Sequence, residues 1–137
     1  MERTEVRLSR LVLVDHAEPQ YLQLEEVTPT AEPRQLTMVI GASEAREIRR
    51  CMQQVESPRP LTHELAFSLM EGLGGGLQEA VIHDLEEGTY FAELRLEKDG
   101  EILAVDCRPS DAVALTLRGT APIFVTERVW SATASDD

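Results

Sequence analysis

Apolar and polar positions alternate along most of this chain, and the period of the alternation marks out its elements. Val6 and Leu8 stand between charged residues and lead into an apolar run at 11–14, which predicts a strand. Asp15, His16 and Pro19 mark a turn, and Tyr21, Leu22 and Leu24 return as a second strand, so the N-terminal part predicts a hairpin. Pro29 and Pro33 make a loop before a third strand at 36–40. Gly41 ends that strand and Ser43 reads as a helix N-cap. Ala45, Ile48, Met52 and Val55 then recur at spacings of three and four, with Arg46, Arg49, Arg50, Gln53 and Gln54 on the opposite face, which predicts an amphipathic helix. Pro58 and Pro60 break it. Thr62 reads as the cap of a second helix whose stripe is Leu65, Ala66, Leu69 and Leu73, stopped by Gly72 and Gly74-Gly75-Gly76.

The second half begins as a meander. Residues 80–85, 90–96 and 102–105 read as strands, separated by Glu86-Glu87-Gly88 and by Lys98-Asp99-Gly100, whose Asp-Gly pair supplies the positive φ of a hairpin turn. Ser110 reads as another N-cap, and residues 112–117 are almost wholly apolar, which predicts a short buried helix. A last strand follows at 122–125, and residues 131–137 read as a frayed tail. Hairpin connections dominate this order, so it predicts an α+β fold: a mixed, largely antiparallel sheet of hairpins and a three-stranded meander packed with about three helices. One domain over 1–130 and a disordered tail over 131–137 are expected.

Composition narrows the function classes. At 137 residues and 42% hydrophobic the chain can bury a sizeable core, and with aromatics at 4% that core must be aliphatic. The charged start Met1-Glu2-Arg3 and the lack of a long apolar run predict a cytoplasmic protein with no membrane partner. Cys51 and Cys107 are far apart and are expected as reduced thiols. The net charge is −12, and residues 81–137 carry 12 acidic against 5 basic groups. Such a surface argues against non-specific grip on a polyanion, so any polyanionic partner must meet a local basic pocket or a metal ion.

Two segments echo each other: Arg59-Pro60-Leu61-Thr62-His63-Glu64 and Arg108-Pro109-Ser110-Asp111-Ala112. In each, an Arg-Pro pair precedes a hydroxyl residue and a helix with an acid in its first turn. Thr62 and Ser110 are expected as helix caps, and Glu64 and Asp111 complement the helix dipole. The arginines face the positive end of that dipole and need an anion. It is either an internal carboxylate, such as Asp106, Asp111 or Glu64, or a ligand phosphate. His63 beside carboxylates has the chemistry of a general base or metal ligand. The glycine triplet is not a phosphate loop, because it follows a helix and no Lys-Ser/Thr comes after it.

Three blocks, Ile40-Gly41-Ala42-Ser43-Glu44-Ala45, Arg59-Pro60-Leu61-Thr62-His63-Glu64-Leu65 and Asp106-Cys107-Arg108-Pro109-Ser110-Asp111-Ala112-Val113-Ala114-Leu115, closed by Ala121-Pro122-Ile123-Phe124-Val125, resemble the bifunctional nuclease domain family. Cys107 stands where a small residue such as Ala is expected, and Glu64 where Asp is frequent. The resemblance implies a compact α+β domain of a kind found in bacteria and plants, with hydrolysis of phosphodiester bonds in DNA and/or RNA. The leading expectation is then a phosphodiesterase-type nuclease in which Arg59 and Arg108 hold phosphate and His63 or a carboxylate activates water. Asp106 and Asp111 would bind a divalent ion, Mg or Mn, or orient the base. The competing expectation is a non-enzymatic module, a homo-oligomer that binds a ligand or protein and whose Arg-Pro motifs are internal salt bridges.

Overall fold

The computed structural model describes residues 2–13, 20–28 and 31–135. The turn expected at Asp15–Pro19, Val14 of the first strand, part of the following loop and the last two residues lie outside them. In chain order the elements are β1 (Arg3–Val12), β2 (Gln20–Glu26), β3 (Gln35–Ile40), α1 (Ala42–Gln53), α2 (Thr62–Gly72), β4 (Gly76–Glu86), β5 (Thr89–Lys98), β6 (Glu101–Cys107), α3 (Pro109–Gly119), β7 (Ile123–Thr126) and α4 (Glu127–Ser135). The strands form one mixed sheet in the order β3-β2-β1-β7-β4-β5-β6.

The two three-stranded meanders do not pair directly. The short strand β7 joins them, antiparallel to β1 and parallel to β4. Every other pairing is antiparallel. Alternation along the strands puts Leu22 and Leu24 of β2, Leu36, Met38 and Ile40 of β3, Ala80 and Ile82 of β4, Ala92 and Leu94 of β5, and Ile123 and Val125 of β7 into one core. Ala45 and Ile48 of α1 and the run Ala112, Val113, Ala114 and Leu115 of α3 close it from above. α3 packs across β4, β5 and β7 and also against α1. The core is aliphatic apart from Trp130, as the scarcity of aromatics requires.

Four local expectations are corrected. A fourth helix, α4, runs from Glu127 to Ser135 where a frayed tail was expected from Ser131; it is anchored by the buried Val129 and Trp130. Its two anchors are adjacent, so they form no stripe that periodicity could detect. α1 ends at Gln53 and Gln54 takes a left-handed conformation, so Met52 and Val55 stay exposed although both fall on the predicted stripe. In α2 the predicted inner stripe faces outward: Leu65, Leu69 and Leu73 are exposed, and Phe67 is the side chain packed against the core. The helix caps are also displaced. Gly41, Leu61 and Arg108 stand at the N-caps of α1, α2 and α3, whereas Ser43, Thr62 and Ser110 lie in the first turns.

Candidate functional site

The three helix starts are built alike, and the acid at the third helical position is what they share. Glu64 Oε1 accepts the backbone N–H of Leu61 at 3.2 Å, and Asp111 Oδ2 accepts that of Arg108 at 3.2 Å. Each is one half of a capping box, which explains why a hydroxyl cap is not needed. Glu44 folds back over Gly41 in the same sense. A Cβ at position 41 would stand 2.4 Å from Glu44 Oε2, so glycine makes room for the carboxylate.

Each of these acids also takes a cation. Arg108 donates from its terminal nitrogens to Glu44 Oε1 at 2.8 Å and to Asp111 Oδ1 at 3.2 Å, and from Nε to Asp111 Oδ2 at 3.2 Å. Asp111 Oδ1 lies 2.9 Å from His63 Nε2. Glu64 receives Arg50 at 3.0 Å, and Arg50 is shared with Glu47, which also pairs with Arg118. The starts of α1, α2 and α3 are thus linked through Glu44, Arg108, Asp111 and His63, with the Arg50, Glu47 and Glu64 group alongside. The internal anion that the sequence required for Arg108 is supplied by Asp111 and Glu44.

These contacts set the protonation states. Burial raises the Asp111 carboxyl, but the hydrogen bonds from Arg108 and His63 outweigh it and hold the group below its ordinary value. Glu44 is lowered by its own backbone N–H and by Arg108, and Glu64 by the Leu61 N–H and by Arg50. Because Asp111 is ionised, His63 Nε2 carries the proton and donates it, which leaves Nδ1 as the ring's acceptor. The Cys107 thiol is pushed up to about 12, first by burial and then by Asp111, Asp106 and Glu93. Burial also raises Cys51. Neither sulfur is an activated nucleophile.

The other expected site residues are placed differently. Asp106 is exposed on β6, paired in register with Glu93 of β5, and among the described residues no side chain hydrogen-bonds or ion-pairs with it. Arg59 is exposed and makes no ion pair among the described residues. Thr62 is exposed and Ser110 is buried. Of the basic face expected on α1, Arg50 is consumed by Glu47 and Glu64, whereas Arg46 and Arg49 remain exposed.

An open cleft of about 1080 Å³ runs along β3 and is closed by the β4–β5 turn, the start of α3 and α4. Arg108, Pro109, Ser110, Tyr90 and Trp130 line it, whereas His63 and Asp111 do not. Arg108 is therefore the residue common to the cleft and the His63–Asp111 pair, and 62% of its side chain is exposed. Arg34 also reaches this cleft. It stacks on Trp130 at 4.5 Å and is paired with Glu26 and Glu127, a contact the sequence analysis missed. Among the described residues no three His, Cys, Asp or Glu side chains come together as metal ligands. Asp111, the acid on the histidine, already holds Arg108 together with Glu44, so these residues do not prebuild a metal site.

The fold is a seven-stranded α+β sheet on which the starts of three helices bring an acid, a histidine and an exposed arginine together. The chain belongs to the bifunctional nuclease domain family, whose model matches residues 24–137. Over 96 residues it is 47% identical to an uncharacterized protein of Mycobacterium tuberculosis, covering 70% of this chain and 57% of that protein. Over 97 residues it is 24% identical to bifunctional nuclease 1 of Oryza sativa, covering 69% of this chain and 29% of that protein. The match to the mycobacterial relatives thus spans little more than half of their length, and that to the rice nuclease less than a third. Among the described residues no helix is long and apolar enough to cross a membrane.

Proposed function

We propose that this domain hydrolyses phosphodiester bonds of DNA or RNA, with His63 as the base that activates water. The observation that carries the reading is the 2.9 Å contact between His63 Nε2 and Asp111 Oδ1. A carboxylate on one ring nitrogen orients the imidazole and leaves the other nitrogen to accept a proton, the arrangement a general base uses. Arg108 and Arg59 are the phosphate-holding groups of this proposal. Arg108 is mostly exposed although it is paired, and among the described residues Arg59 has no anion to give up. In this reading His63 Nδ1 takes a proton from water as the oxygen attacks phosphorus. The arginines offset charge on the non-bridging oxygens as the bond to the leaving oxygen breaks.

Family membership and the rice relative's name support a nucleic-acid substrate. The test is hydrolysis of single- and double-stranded DNA and RNA by highly purified protein, beside His63→Gln and Asp106→Asn. Loss of activity in His63→Gln with the fold retained supports the reading, and full activity in that variant overturns the assignment of the base. Asp106→Asn separates the exposed acid of β6 from the histidine pair.

One observation favours a second reading, a non-enzymatic binding module. Arg108 Nε and both its terminal nitrogens already donate to protein carboxylates. Pairing of this kind is what a structural Arg-Pro motif would show. No hydrolysis of any of the four substrates by the folded protein would favour it.

A further inference from the structure

The two edges of the sheet are finished differently. At the β3 edge the inward-facing Leu36, Met38 and Ile40 are buried within the chain. At the β6 edge six of seven residues are exposed, and only Cys107 is partly covered. Leu103 and Val105 lie in register with Leu96 and Leu94 of β5, on the face that carries the core. Burial falls away along that row: Ala80 is 0% exposed, Leu94 8% and Val105 43%. The apolar layer therefore runs off the end of the sheet uncovered.

Edge strands in soluble proteins are guarded by a lysine, a proline, an inward charge or a bulge. Residues 102–105 are Ile-Leu-Ala-Val and contain none of these. The β5–β6 register runs from Ala92↔Cys107 to Lys98↔Glu101 without a shift, whereas β4–β5 and β1–β2 both carry irregularities. β6 thus presents a regular, unguarded row of backbone donors and acceptors.

We infer that β6 pairs with β6 of a second copy of this chain, antiparallel about a two-fold axis near Ala104, so that two sheets become one. The sequence of the strand suits its own inverse. About Ala104, Leu103 of each copy stands opposite Val105 of the other on the core-bearing face. Ile102 stands opposite Asp106 on the polar face, and Glu101 opposite Cys107. No two like charges face each other, and the apolar row is continued instead of ended. A partner drawn by charge has nothing to read at 102–105, and a polyanion would meet Glu101 and Asp106 at the ends of the strand.

α2 adds apolar surface on the same side of the sheet. The Phe67 and Leu77 side chains both reach Gly119, and Met70 packs at Gly75 beside the Glu97 carbonyl. These contacts hold the helix beside the end of α3 and the start of β4. Its exposed Leu65, Leu69 and Leu73, together with Ile102, Leu103 and Val105, are each 43–71% exposed.

The test is the mass of the purified chain in solution across a dilution series, by light scattering or sedimentation. The expected result is twice the 15.3 kDa of one chain, falling to one chain on dilution, with amide exchange at 102–106 slowed in the dimer. Val105→Lys should give monomer. Ile102→Glu is the control for folding, because it changes only the polar face while setting a new carboxylate opposite Asp106 of the other copy; it should also give monomer, with an unchanged circular dichroism spectrum. A monomer at every concentration overturns the inference. So does a dimer that survives both substitutions, or a complex whose second component is a different protein.

Discussion

Asp111 on α3 accepts a hydrogen bond from His63 on α2 at 2.9 Å, across 48 residues of sequence, and the same carboxylate holds Arg108 and the Arg108 backbone N–H. One side chain therefore caps a helix, neutralises an arginine and orients a histidine. Asp111→Ala removes all three at once and leaves Arg108 with Glu44 alone. It is expected to cost about 1–3 kcal/mol of stability. It should also abolish any hydrolysis that depends on the His63 tautomer. Asp111→Asn keeps the shape and should restore more stability than activity. Urea denaturation midpoints beside single-turnover rates check both; an unchanged midpoint in Asp111→Ala would show that the network carries no stability.

Acid should loosen the helix starts. The carboxyls of Glu44, Glu64 and Asp111 are lowered in the folded protein, so the unfolded chain binds more protons than the folded one as pH falls. Their contribution is present above the ordinary carboxylate range and is lost as pH drops through the lowered folded values. Thermal midpoints measured from pH 7 downward should fall below about pH 4.5, the ordinary value for glutamate. The slope should flatten in Asp111→Asn.

At the alkaline end Cys107 acts in the opposite sense. Its folded thiol is raised from 9.0 to about 12. Stability from keeping it neutral is complete below the unfolded value and is lost as pH rises toward the folded one. Cys107→Ala, which restores the small residue expected at this position, should remove that alkaline slope. In the native protein the thiol should react with iodoacetamide much more slowly than in the unfolded chain, measured at pH 8.

Arg59 distinguishes phosphate binding from structure most cleanly, because it has no partner to lose among the described residues. Arg59→Ala should leave the denaturation midpoint unchanged and raise KM roughly tenfold, the effect of one lost charge-assisted hydrogen bond. Arg108→Ala should lower stability as well as activity. Equal kinetics in Arg59→Ala and the parent would remove Arg59 from the proposal.

A divalent ion is expected to accompany substrate, since a chain of net charge −12 must approach a polyanion. No three-ligand site is built among the described residues, and Mg²⁺ commonly binds through one or two carboxylates together with substrate phosphates. Stripping metal and adding excess chelator should abolish hydrolysis, and Mg or Mn should restore it. Full activity in chelator would sink the metal requirement.

Much of the fold was legible in the chain because strands and helices are written in short-range periodicity. The alternation at Leu22 and Leu24, at Leu36, Met38 and Ile40, and at Ala92 and Leu94 located strands and also named their buried faces. The Asp-Gly turn and the apolar run after Asp111 located β6 and α3. In the two Arg-Pro segments, His63, Arg108 and Asp111 come together in the fold, and Arg108 takes an internal carboxylate. Glu44, the other half of its charge balance, lies 64 residues away at the start of another helix, and no local pattern announces it.

By itself, then, the sequence determined the α+β class, the order of seven strands and three of the four helices, the aliphatic core and the residues worth suspecting. Local sterics and burial act over a few residues, and the amino-acid order records them directly. Only the tertiary structure decided which face of α2 is covered, because Phe67 has its site against Gly119 and Leu77 while Leu65 and Leu69 have none. It alone decided that acids and not hydroxyls satisfy the helix starts, that Asp106 stands apart on an exposed strand while Asp111 holds the histidine, and that the sheet ends on an apolar edge. Each of these depends on which surfaces meet at long range, and that is set by how the whole core packs.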